Sequence, residues 1–225
     1  MKKLNQLAAT LILLSCVGCT NVQRGNNGGD HLEPVRGIYE IYDFQFEYDL
    51  KVRKVLFDGL SDSPEVRFQV MPSFTPENVL DIEFDRVKNK YYLIYHICEK
   101  IIWYSDEDLE NVKVSKFKAE IDKKSVDLIK SLFGTAISQV KFPPTIKEGE
   151  MISVGLDGEN YFFTINEYGY GIKSGTVWSP NKGSKMDKLI TIGNQLIELA
   201  MSKKEIVTID ETTCKEIKKL ISEIK

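Results

Sequence analysis

The 225-residue sequence is short of the side chains that most often carry chemistry, with two histidines, two tryptophans and four cysteines. His31 falls in a polar N-terminal stretch, which leaves His96 as the imidazole of the globular part. Any Ser-His-Asp or Cys-His nucleophile system would have to be built on it. No acid, nucleophile and turn signature converge on His96 in sequence, and its strand-face neighbours Tyr92, Ile94 and Cys98 make it a half-buried structural residue. An excess of positive charge is missing too: 30 Lys and Arg against 33 Asp and Glu give −3. The basic footprint of a phosphate-backbone binder is absent, so nucleic acid is not an expected partner. With 7 prolines and 15 glycines the chain is neither collagen-like nor low-complexity. What remains, 42% hydrophobic and 28% charged residues, is the profile of a globular chain that buries about 70% of its unfolded surface without a disulfide framework.

The first residues are the most informative. MKKLNQLAATLILLS carries two lysines, an apolar stretch from Leu7 to Leu14, and a small residue before Cys16, the three-part layout of a secretory signal peptide. The stretch is too short to span a bilayer, which needs about 20 residues. Leu13-Leu14-Ser15-Cys16 resembles the lipobox of bacterial lipoprotein precursors: an aliphatic residue, a tolerant position, a small residue, then the Cys that receives lipid. Cys16-Val17-Gly18-Cys19 fits that pattern less fully, because a Cys stands at the aliphatic position; Cys19 is the alternative acceptor. The resemblance implies export, a diacylglyceryl group on the Cys sulfur, cleavage before that Cys, and acylation of the new amine, commonly with palmitate. Two or three acyl chains, at about 0.8 kcal/mol per buried methylene, anchor effectively for good. The next residue, Val17 or Thr20, is not the Asp that resembles an inner-membrane retention signal, so the outer membrane of a two-membrane cell, bordering the periplasm, is the expected address, on either of its faces. Removal of residues 1–15 takes two lysines with it and leaves a mature chain at −5.

Residues 16–35 read as a lipidated flexible tether, because Thr20 to Val35 are rich in Asn and Gly and nearly devoid of apolar side chains. Residues 36–225 then read as an α+β domain of antiparallel sheet with about three helices, mainly in the C-terminal half. A change of pattern near 121/122 is where a sub-domain boundary would fall.

From Arg36 to Ile121 the apolar period is mostly two, which predicts strands. Val66, Phe68 and Val70 alternate with polar residues, as do Leu80, Ile82 and Phe84, whose partners Asp81, Glu83 and Asp85 predict a wet sheet face. Lys88-Asn89-Lys90 is a turn into the apolar run Tyr91 to Tyr104, and Lys113 to Ile121 is another strand. Thr75-Pro76-Glu77 signals about one helical turn. After residue 121, Ser125 caps a helix that ends before Pro143, with Gly134 a stop or a tolerated interruption. Asp157-Gly158 predicts a hairpin joining Ile152, Val154 and Leu156 to Tyr161, Phe163 and Ile165. Gly169 and Gly171 mark a reversal, Ser184 opens a helix to Met201, a short strand spans Glu205 to Ile209, and Thr213 with Glu216 forms the capping box of a last helix. Val70-Met71-Pro72-Ser73-Phe74 and Trp178-Ser179-Pro180 through Gly183-Ser184 resemble parts of uncharacterised bacterial lipoproteins, a likeness that carries no activity.

Motifs for chemistry mostly fail on their own terms. Ser115-Lys116-Phe117-Lys118 has the S-x-x-K form of penicillin-recognising enzymes, but in a strand its ends point to opposite faces. Asp106, Asp108 and Glu110 imitate a calcium loop that lacks its Gly and its final Glu. Tyr168-Gly169-Tyr170-Gly171 lacks the third glycine of a dinucleotide fingerprint. Lys182 to Lys185 at a helix start is an anion seat or an ordinary cap. Cys98 and Cys214 are expected as buried thiols, although an exported protein permits a bridge. No catalytic residue, metal ligand or cofactor is assigned.

The sequence therefore points to an anchored domain that works by binding an envelope protein or cell-wall ligand. An envelope hydrolase using paired carboxylates, or a carrier of a small apolar ligand, are the alternatives. Tyr168 and Tyr170 are the candidate binding residues: on a loop tip they either cover their own sheet with only the hydroxyls in water, or project outward as rigid amphipathic contact area.

Overall fold

A computed structural model describes residues 29–35, 44–103, 112–142 and 157–225. The chain is α+β, built on one seven-stranded sheet. Its elements are α1 (Phe44–Leu56), β1 (Val66–Pro72), β2 (Asn78–Asp85), β3 (Lys90–Cys98), β4 (Val114–Ile121), α2 (Lys123–Ser138), β5 (Glu159–Glu167), β6 (Gly171–Trp178), α3 (Lys185–Met201), β7 (Ile206–Val207) and α4 (Glu211–Ile224). The strand order is β6-β5-β1-β2-β3-β4-β7, antiparallel throughout except for β4 with β7. Among the described residues no helix is long and apolar enough to cross a membrane.

Period-two alternation gives the sheet two unlike faces. Val66, Phe68 and Val70 of β1, Leu80 and Ile82 of β2, Leu93 and Tyr95 of β3, and Phe163 and Ile165 of β5 face α2, α3 and α4, which close the main core. Phe68 lies at its centre, 5.1 Å from Phe163, and Phe133 of α2 meets Phe163 edge-on at 5.1 Å. Each of these fully buried rings contributes about 1.5–3 kcal/mol of transfer free energy. The opposite face carries a smaller cluster in which Tyr48, Val52, Val55 and Leu56 of α1 pack on Met71, Val79, Cys98 and Ile102.

Helix ends follow local chemistry, at different residues from those the sequence suggested for two of the four helices. Asp122 caps α2, its carboxylate accepting the Ser125 N–H at 2.9 Å and the Ser125 hydroxyl at 2.5 Å, so Ser125 is the third helical residue and not the cap. Asp210 likewise caps α4 through the Thr213 N–H at 2.9 Å, and the Thr213 capping box is not formed. Ser184 caps α3 as expected. An aspartate three residues earlier wins in both other cases because a carboxylate at a helix start also answers the macrodipole.

Three further expectations are corrected. Among the described residues there are four helices and not about three, because α1 falls in the stretch read as strand: Phe44, Phe46, Tyr48, Leu50 and Val52 alternate in sequence, yet the buried set Tyr48, Val52, Val55 and Leu56 has helical spacing. The Asp157-Gly158 hairpin is not formed, since β5 is already paired along its length with β1 on one side and β6 on the other; residues 151–156 lie outside the described residues. No helical turn starts at Thr75, which belongs to the loop between β1 and β2.

The expected tether also ends sooner than Val35. Leu32 is fully buried in the main core, Glu33 exchanges both backbone hydrogen bonds with Thr176 of β6 at 2.7 and 2.8 Å, and the Lys141 and Met186 N–H groups donate to Leu32 and Gly29 carbonyls. One leucine in a polar stretch supplies the apolar anchor of this docking, beside its backbone hydrogen bonds.

Candidate functional site

The hairpin joining β5 to β6 ends its ladder at Glu167 opposite Gly171, and the Tyr170 N–H donates to the Glu167 carbonyl at 3.0 Å to close the turn. Gly169 at φ 81° and Gly171 at φ 83° take the left-handed conformation that only glycine adopts freely. Between them the turn throws both tyrosines outward: Tyr168 is 99% exposed and Tyr170 77%, with Ile172 of the edge strand 52% exposed beside them. Neither tyrosine packs on its own sheet. Lys173 lies with its ammonium 4.8 Å from the Tyr170 ring centroid and pairs with Glu167 across the hairpin, so one side of Tyr170 is steadied by a cation–π contact. The sequence raised both residues, and the structure places them together on one tip.

The acidic stripe of β2 has a different fate. Asp81 is fully buried and takes a bidentate grip from Arg67 of β1, Nε to Oδ1 at 2.7 Å and Nη2 to Oδ2 at 2.6 Å. Arg67 also donates to the Ser61 carbonyl at 2.8 Å, and its guanidinium lies 4.1 Å from the Phe57 ring centroid. Glu83 accepts the Ser61 N–H at 2.6 Å, and Asp85 accepts the Val87 and Lys88 N–H groups of the β2–β3 turn at 3.0 Å each. Burial pushes the Asp81 carboxyl up to about 6 against the pull of Arg67. Asp81, through Arg67, and Glu83 hold the loop after α1, whereas Asp85 closes the β2–β3 turn, so the expected wet face is roofed at its Asp81 end and the three acids do not converge as a hydrolytic pair.

Glu77, which sequence reasoning passed over, is the other buried anion. Its carboxylate accepts the Tyr48 hydroxyl at 2.7 Å and the Ile102 N–H at 2.8 Å, with the Trp103 N–H at 3.2 Å. Tyr48 meets Trp103 edge-on at 4.8 Å, and burial together with Glu77 raises the Tyr48 phenol. This set ties α1 to the segment after β3. Nothing in its sequence neighbourhood, Ser73-Phe74-Thr75-Pro76-Glu77-Asn78, distinguishes it from a loop residue that faces water.

His96 is buried, and its Nδ1 lies 2.7 Å from the Leu56 carbonyl; burial lowers its pKa. It ties α1 to β3 and stands where the sequence placed it, as a structural residue. Cys98 and Cys214 are free thiols on opposite sides of the sheet, Cys98 in the α1 cluster and Cys214 against the main core. Burial pushes the Cys98 thiol up to about 12. The anion seat at Gly183 is filled internally, since its N–H donates to Asp187 at 2.7 Å.

Lys188, Thr191 and Ile192 of α3 and Glu216, Lys219, Leu220 and Glu223 of α4 border an open cleft of about 290 Å³, bridged by the Lys188–Glu223 ion pair at 2.7 Å. No group of three or more His, Cys, Asp or Glu side chains among the described residues is placed to hold a metal ion. Cys16, Cys19 and the Asp106–Glu110 loop lie outside the described residues. Comparison of the chain with models of known families, with curated protein sequences and with solved structures returns no match.

Proposed function

We propose that this chain is a lipid-anchored protein of the bacterial cell envelope, in the outer membrane, that works by binding: an accessory, inhibitor- or immunity-type, or scaffold protein whose contact surface is the Tyr168–Tyr170 tip. The observation that carries the reading is the outward pair itself. Large rings are seldom left fully in water on a turn whose glycines would serve a smaller residue equally well, and rigid aromatic side chains are the ones that dominate binding hot spots. The lipobox at Leu13 to Cys16 supplies the address.

Two experiments test it. Growth with labelled palmitate labels the parent chain and fails to label Cys16→Ala; labelling that survives in Cys16→Ala but not in Cys19→Ala moves the anchor, and labelling independent of both removes it. A light-activated cross-linker in place of Tyr168 captures one recurrent envelope partner in living cells. Identical capture by a control cross-linker at exposed Val87, on a different turn, would refute the tip as the contact surface.

A further inference from the structure

Residues 29–35 run antiparallel along the outer edge of β6 as a strap. Its fixture is Leu32, fully buried over Gly175, where a Cβ would stand 2.9 Å from Leu32 Cδ1 and 2.9 Å from Val140 Cγ2; the missing side chain is the socket. Four backbone hydrogen bonds reinforce it: the Glu33–Thr176 pair at 2.7 and 2.8 Å, Lys141 N–H to the Leu32 carbonyl at 3.0 Å, and Met186 N–H to the Gly29 carbonyl at 2.8 Å. The last of these sets the strap's N-terminal end against the start of α3, beside Pro180 and Ser184. Because Glu33 opposes Thr176 in an antiparallel sense, the Gly29 end of the strap lies toward the Trp178 end of β6. The tyrosine tip precedes Gly171, at the other end of the same strand. At about 3.3 Å per residue the two ends of β6 are about 23 Å apart.

Resting on the reading that the chain is anchored through its N-terminal segment, we infer that the strap is an orienting device: it sends the anchor out of one end of the sheet and holds Tyr168 and Tyr170 at the other, turned away from the bilayer. The partner of the tip is then a macromolecule of the space beyond the membrane surface and not the lipid headgroups to which the protein is tethered. Twelve residues separate Cys16 from Gly29, and a stretch of that length and Asn- and Gly-rich composition is expected to span about 20 Å on average, no longer than the strand, so the position of Gly29 governs which end of the domain lies nearer the membrane.

The test uses the full lipidated chain in vesicles of phosphatidylethanolamine and phosphatidylglycerol carrying an acceptor dye on a fraction of the headgroups. An azide-bearing amino acid placed at position 168, or at exposed Asn181 beside the strap's exit, receives the donor dye and avoids the native cysteines. Energy transfer from 181 is expected to exceed that from 168 about twofold, given the strand-length separation. The difference vanishes in Leu32→Asp, whose strap is expelled, and persists in the conservative Leu32→Met; near-ultraviolet dichroism of Trp103 and Trp178 reports that each variant is folded. Tyr168→Ala with Tyr170→Ala leaves vesicle binding unchanged. Equal transfer from both sites, a difference that survives expulsion of the strap, or weakened vesicle binding by the double variant overturns the orientation while the anchor stands. Transfer from neither site overturns the anchor and the orientation together.

Discussion

Gly193 of α3 rests on the ring of Phe68 in β1 so closely that a Cβ at Gly193 would stand 2.5 Å from Phe68 Cε1 and 2.7 Å from Cδ1 and Cζ. The helix can lie this low over the sheet because it presents backbone where any other residue would present a side chain. Two effects oppose each other in Gly193→Ala. Helix propensity favours the alanine by about 1 kcal/mol, whereas forcing a fully buried ring aside costs about 1–3 kcal/mol. Phe68 is fully buried and packed against Phe163, with ring centroids 5.1 Å apart, so the second effect wins. Gly193→Ala is expected to lower the melting temperature by several degrees, and Gly193→Ala with Phe68→Leu to recover part of the loss. A more stable single variant would show that the ring has room to move.

The Arg67–Asp81 pair makes a different prediction. Both side chains are buried, so removing one partner strands the other, at about 3–5 kcal/mol. Asp81→Ala is expected to show this loss in urea denaturation, and Arg67→Met with Asp81→Leu to be much milder, because no charge is then left in the interior. The pH dependence carries its own sign. The Asp81 carboxyl stands at about 6, above its ordinary 3.8, so the folded chain holds this proton more readily than the unfolded one. Its contribution to stability therefore rises as pH falls through 6 toward 3.8, and is absent from the double variant. Urea midpoints of parent and double variant that move in parallel across pH 4 to 7 would contradict that assignment.

Much of the fold was legible, and its errors have a common cause. β1 to β4, α2, α3 and the β5–β6 reversal were recovered because one face of each is buried and the period of the apolar residues is imposed by that burial. The helix α1 was misread because Phe44, Phe46, Tyr48, Leu50 and Val52 keep a strand-like alternation while the spacing that matters runs from Tyr48 through Val52 to Leu56. Asp157-Gly158 carried a hairpin signal that tertiary pairing overrode, since β1 and β6 already use both edges of β5. Of the candidate site, Tyr168 and Tyr170 were visible because tyrosine is unusual at a turn. The buried polar set on the α1 side was not, because Arg67, Glu77 and Asp81 are identical in sequence to residues that face water; only the docking of α1 and its following loop makes them interior.

For the tip, exposure itself predicts a null effect on folding. Tyr168 buries almost nothing, and Tyr170 gains only the Lys173 contact, about 0.5–1 kcal/mol at an exposed site. Tyr168→Ala with Tyr170→Ala is expected to shift the melting temperature by no more than about 3 °C. Gly169→Val, in the same turn, is expected to cost more than both together, because it places a β-branched residue at φ 81°. Thermal melts of the two variants decide the matter: a larger loss from the tyrosine pair would mean that the rings hold the hairpin and are not offered to a partner.

The strap contains a charge that works against its own docking. Glu33 turns one carboxylate oxygen, Oε1, into the protein with no hydrogen-bond partner, and burial raises its pKa above the ordinary 4.5. The docked strap therefore holds the Glu33 proton more readily than the released strap, and docking strengthens as pH falls through the raised value toward 4.5. His31, two residues earlier, acts in the opposite sense: burial lowers its pKa, so the docking it favours is complete above 6.5 and declines as the pH falls below that value. The two are separated by comparing the parent with Glu33→Gln, which removes the charge and keeps the size. At pH 7 the variant is expected to protect the Thr176 amide, which donates to the Glu33 carbonyl at 2.8 Å, several-fold better in hydrogen exchange. On acidification toward pH 5 the advantage should shrink, because the parent's Glu33 gains its proton while the variant keeps only the loosening from His31. A variant that protects Thr176 less than the parent at pH 7 would mean that the Glu33 carboxylate is an asset to the strap, not a cost.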